Sequence, residues 1–132
     1  MPTTPGPRRA PGGRVPALVA AVVLVGLGLA VSRIDSPLAD PAGDAVYAAF
    51  VYTLLVVVAP RARPSILAAV AFGICAAVEL AQLTGVPARV VDAVPAARYA
   101  LGTTFAAVDL VAYAVGVALA SLLHRRTTAV PR

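Results

Sequence analysis

Charge is scarce in this chain. Only 13% of its 132 residues are charged, against about 25% in ordinary soluble domains. Lysine is absent, and cysteine and histidine occur once each. The lone cysteine, Cys75, permits no intrachain disulfide and no metal site built on Cys spacing. Set inside an apolar run, it reads as buried and inert. The lone histidine, His124, is followed by Arg125 and Arg126, and reads as the flank of a membrane helix rather than a catalytic base. There is no nucleophile–base arrangement, Gly-rich phosphate loop or metal-ligand cluster. A carboxylate pair, Glu79 with Asp109, is the sole candidate for acid–base work, and no motif accompanies it. The sequence therefore points away from an enzyme, a metal and a cofactor.

What the chain has instead is apolar surface. It is 60% hydrophobic, with a mean hydropathy of +0.87. A soluble domain of this size removes only about two thirds of its unfolded surface from water, so the excess must face lipid. The net charge of +5 does not argue for nucleic acid, because the arginines stand in tails and short loops, as membrane topology requires. Exclusive use of arginine accords with GC-rich coding, alongside the abundant Ala, Val, Gly and Pro.

After a Pro/Gly-rich basic tail over residues 1–14, expected to be disordered, four apolar stretches follow. They predict helices at about 15–32, 43–59, 65–86 and 99–123, within a transmembrane domain over 15–124 and ahead of a basic tail at 125–132. A spanning helix needs about 20 apolar residues. The runs are too long for strands, and they lack the alternation of a membrane barrel. A cleaved signal peptide is the rival reading of the first stretch, which is longer than the roughly 7–15 apolar residues of a signal core. The fold class is an all-α, integral membrane four-helix bundle. Arg8, Arg9, Arg14, Arg61, Arg63, Arg125, Arg126 and Arg132 fall on one side, and Arg33, Arg89 and Arg98 on the other. The positive-inside rule then puts both termini in the cytoplasm.

The polar residues inside the spans converge. At 1.5 Å per residue, Glu79 is expected about 10 Å from the outer end of the third helix and Asp109 about 15 Å into the fourth. Asp44 stands at the mouth of the second, with Arg98 and Arg89 above. Helical spacing puts Gly102, Phe105, Asp109, Tyr113 and Gly116 on one expected face. Phe72, Cys75, Glu79 and Gln82 share another, and Asp44 and Tyr47 a third. Gly102 and Gly116 would let a neighbouring helix come close. An acid within a membrane helix costs about 2.5–3.5 kcal/mol on insertion scales, so such groups face the bundle interior and find partners. Glu79 and Asp109 either pair with arginines such as Arg98 or hold a proton.

Gly43, Asp44 and Tyr47, then Glu79 and Gln82, then Arg98, Gly102, Phe105, Asp109, Tyr113 and Gly116 form a pattern that resembles the small bacterial membrane proteins catalogued as domain of unknown function 2809. The resemblance covers about residues 20–124. Members commonly place an aromatic residue shortly before the aspartate, where this chain has Ala106 and Ala107. More distantly, Glu79, Gln82, Arg98 and Asp109 are similar to the pattern of VanZ-like proteins, which are linked to glycopeptide resistance. Those proteins carry Asn where this chain has Tyr113. The expectation is a multi-pass plasma-membrane protein in contact with the lipid bilayer, with a polar cluster in the outer half. That cluster, Asp44, Tyr47, Glu79, Gln82, Arg98, Asp109 and Tyr113, would bind a head group or envelope compound. The alternatives are a small proton-coupled transporter and a structural or accessory subunit. A homo-oligomer is compatible with each.

Overall fold

The computed structural model describes residues 13–102 and 104–129; all but two residues of the expected N-terminal tail lie outside them. Four helices are long and apolar enough to cross a membrane. They are α1 (Arg14–Val31), α2 (Ala39–Val58), α3 (Pro64–Gln82) and, after a short helical connector, α6 (Ala107–Ala129). The connector holds α4 (Val86–Ala93), one 3₁₀ turn (Pro95–Ala97) and α5 (Arg98–Leu101). No strand occurs among the described residues.

Local chemistry sets the boundaries. Pro64 opens α3 at a position where a missing N–H costs little. Helix α2 begins at Ala39, earlier than the expected 43, with Asp40 in its first turn where the helix dipole favours an acid. Helix α3 stops at Gln82 rather than 86. There Thr84 Oγ1 donates to the Ala81 carbonyl at 2.6 Å, Gly85 adopts a left-handed φ of 71°, and Pro87 stands in the first turn of α4.

The fourth apolar stretch departs most from expectation. Instead of one helix over 99–123, it is broken after Leu101. Gly102 has φ 60°, outside the right-handed helical region, and α6 begins only at Ala107. Asp109 therefore sits in the first turn of α6, about 3 Å from its start at 1.5 Å per residue, not about 15 Å deep. Gly102 and Phe105 leave the face they were expected to share with Asp109. At the other end α6 runs on through Arg125 and Arg126 to Ala129, so part of the expected C-terminal tail is helical.

Helices α2 and α6 form the central pair, α3 packs on both, and α1 packs on α2 alone. The core is built from Ala48, Val51, Tyr52 and Val56 of α2, Leu67, Ala71 and Cys75 of α3, and Tyr113 and Val117 of α6. The central contact is close because Gly116 lies against the Ala45 backbone carbonyl, and a Cβ there would overlap it. Small residues at such crossings let lipid-embedded helices gain dispersion contacts. Away from the core the helices are apolar outward: Val22 of α1 is 72% exposed and Val111 of α6 63%, as contact with a bilayer requires.

His124 is more than a flank. Its Nδ1 shares a hydrogen bond of 2.8 Å with Tyr52 Oη, tying α2 to α6 at the end opposite the connector. Gly116→Ala should destabilise the detergent-solubilised protein by about 1–3 kcal/mol, the range for overpacking. Gly73→Ala, whose Cβ would meet nothing, should leave its thermal midpoint unchanged or slightly raised. Equal midpoints for the two variants would contradict the close crossing.

Candidate functional site

Glu79 is fully buried, three residues before the end of α3. Both of its carboxylate oxygens are engaged by the chain itself. The Ala106 backbone N–H donates to Oε1 at 2.7 Å, and Tyr113 Oη donates to Oε2 at 3.0 Å. Ala106 immediately precedes α6, so the carboxylate lies where unpaired N–H groups and the helix dipole offer positive potential. One turn along α3, Gln82 Nε2 donates to the Leu101 carbonyl at 2.6 Å. The two side chains thus hold the two edges of the break: Gln82 the last carbonyl of α5, and Glu79 the amide that leads into α6. A Cβ on Gly102 would collide with the Gln82 amide. Glycine is required there twice over, for its positive φ and for that close approach.

Arginine does not enter this arrangement. Arg98 Nη2 donates to Tyr99 Oη at 3.1 Å, and its guanidinium lies over that ring, 4.9 Å from the centroid. Of the two arrangements expected for Glu79, an arginine partner or a held proton, the arginine partner is not seen among the described residues; a backbone amide and a tyrosine hydroxyl donate to it instead.

Asp44 and Asp109 behave differently. Their carboxyl groups neighbour each other across the α2–α6 contact, with Glu79 and Asp40 in the same polar group. One turn deeper, Tyr47 and Tyr113 pack with ring centroids 6.3 Å apart and planes tilted by 57°. These groups face a cavity of about 1020 Å³ between the connector end of the bundle and α1. Its wall includes Asp44, Tyr47, Glu79, Gln82, Arg98, Asp109 and Tyr113, so the seven polar residues singled out by spacing meet in one place. Of the two glycines, Gly116 serves helix packing, whereas Gly102 shapes the break and lines the cavity. Spacing along single helices did not reveal two further parts of this wall. One is Asp40, in the first turn of α2; the other is the apolar side of α1 around Gly28 and Leu29. The acid beside a helix start in "ADPAGD" was the available signal for Asp40. Gln82 Oε1 is buried without a partner among the described residues.

An all-helical chain with four membrane-length helices and a polar cavity at one end is a small multi-pass membrane protein. It belongs to the family described as "Protein of unknown function (DUF2809)", whose profile matches residues 33–117, the stretch that contains every polar wall residue named here. No curated protein and no solved structure matches it.

Removing the Glu79 side chain leaves a part-buried amide and a buried phenol without their acceptor. Glu79→Ala should lower stability by about 2–4 kcal/mol, and Tyr113→Phe by about 1–2 kcal/mol, as charge-assisted hydrogen bonds are lost. In a double-mutant cycle on thermal or denaturant midpoints the two should couple rather than add. Strict additivity would contradict the bond between them.

Proposed function

We propose that the protein is a bacterial plasma-membrane protein with both termini in the cytoplasm, and that its cavity, in the outer half of the bilayer, binds a lipid head group or envelope compound. The observation that carries this reading is the division of labour in the cavity wall. Glu79 and Gln82 are spent on the helix break. Asp44, Asp109 and the Arg98 rim stay available to a ligand in a space at the upper end of the roughly 300–1,000 Å³ typical of small-molecule sites. The orientation is supported by the arginine count, with Arg61 and Arg63 in the turn between α2 and α3, and Arg125 and Arg126 near the end of α6.

The adjacent carboxyls of Asp44 and Asp109 favour one second reading, proton-coupled transport. Uptake into proteoliposomes that responds to an imposed pH gradient, and is lost in Asp109→Asn, would select it over simple binding.

Mass spectrometry of the gently purified protein should show a retained compound, and Arg98→Ala should reduce its occupancy by about tenfold, the loss of 1.4 kcal/mol. A preparation free of any retained compound would count against the binding role. A reporter fused after Arg132 should signal from the cytoplasm, and a signal from outside would overturn the orientation.

A further inference from the structure

We infer that α4 is a surface helix of the bilayer. It lies along the leaflet at the connector end, with Val86, Val90 and Val94 among the acyl chains and Arg89 and Asp92 among the head groups. The inference is independent of what the cavity binds.

Position comes first. Helix α3 ends at Gln82 and α6 begins at Ala107, and both are of membrane-crossing length. The chain between them therefore stands at one face of the membrane. Within this connector α4 touches α3, α5 and the 3₁₀ turn, and none of α1, α2 or α6 among the described residues. It is held from one side only, at the edge of the bundle.

The sides of α4 settle which way it is turned. Measured round the helix axis from Val86, Val90 and Val94 fall at about 40° and 80°, and Pro87 and Val91 at about 100° and 140°, given 3.6 residues per turn. On the same rule Asp92 and Arg89 fall at about 240° and 300°. Val94 keeps this register, because its N–H still donates to the Val90 carbonyl at 2.8 Å. Pro87 is buried and Val91 half-buried, so their side is packed against protein. The valine flank is open: Val86 is 55% exposed, Val90 39% and Val94 55%. The opposite flank, with Arg89 and Asp92, is exposed as well. One open flank is apolar and the other charged. A helix lying in the bilayer surface at the edge of a bundle has two such flanks, one against hydrocarbon and one against water.

Continuity with the lipid-facing surface identifies what covers the valines. Leu80, near the end of α3, is 55% exposed, and Leu83 in the following turn 64%. The outward apolar surface of α3 thus runs on through the turn into Val86. None of these five residues lines the cavity, so their exposure is to the surroundings of the bundle. Turned to water, the stripe would forgo the hydrophobic effect. Helices of this pattern sink their apolar face about 5–10 Å into the boundary between head groups and chains. Helix α4 then acts as a float. It stands in the chain between Gln82 and α5, and its seat in the bilayer surface holds Ala96 and Arg98 of the cavity wall at that level.

Fluorescence of the full chain in palmitoyl-oleoyl phosphatidylcholine vesicles tests this. The chain contains no tryptophan, so a single introduced indole reports alone. In Val90→Trp the indole should be quenched by lipid that carries a nitroxide near the head of its acyl chain. Iodide in the water should quench it several-fold less than the indole of Asp92→Trp. Equal quenching of the two by iodide overturns the inference. An indole in Val90→Trp that is shielded from both quenchers also overturns it, because protein, whether a second copy or another partner, would then cover the flank. NMR of the unmodified chain in lipid nanodiscs makes the same comparison where a variant does not fold. The Val90 methyl signals should broaden with the nitroxide lipid and stay sharp with a soluble gadolinium chelate; the reverse pattern overturns the inference.

Discussion

The rest of the structure depends on one buried carboxylate. In hydrocarbon no water is available to satisfy a backbone that leaves its helix, so a broken membrane helix must find every partner inside the protein. This chain breaks its last apolar stretch at Gly102, and Glu79 receives the Ala106 amide on the far side of the break. The charge that such a residue brings into the bundle is matched by the positive potential of a helix start and by the Tyr113 hydroxyl. Gln82 treats the near side of the break in the same way through the Leu101 carbonyl. The Glu-x-x-Gln spacing therefore serves as a two-point support for a discontinuous helix.

The cavity is a consequence of that break. Had the stretch stayed helical from 99 onward, Asp109 would lie in the middle of a continuous helix with its backbone fully paired. Starting α6 at Ala107 instead brings Asp109 to the first turn, beside Asp44 of α2. The connector forms the end wall, and α1, packed on α2, forms a side wall. Just below the cavity Gly116 sits against Ala45, and toward the other end Tyr52 is joined to His124.

The number of membrane spans was legible in the sequence because it depends on summed hydropathy and length, which are properties of the chain alone. The polar wall residues were legible for a related reason: a carboxylate or amide inside an apolar run has few places to go. The break at Gly102 was hidden. Tyr99 to Leu123 is uniformly apolar, and glycine is frequent inside continuous membrane helices, so neither hydropathy nor composition marks a discontinuity there. The partner of Glu79 was hidden as well. Reasoning from residue types seeks a cation, whereas the donors supplied are a main-chain amide and a tyrosine, and a main-chain amide has no letter in the sequence. Arg98, the obvious cation, stacks on Tyr99 instead.

Residue-resolved amide hydrogen exchange by NMR, on the full chain in micelles, tests the central claim most directly. The Ala106 amide should exchange far more slowly than that of exposed Thr104 two residues before it, and should lose that protection when Glu79 is replaced by alanine. Exchange of Ala106 at the rate of Thr104 in the unmodified protein would contradict the account, because the carboxylate would then not be holding the start of α6.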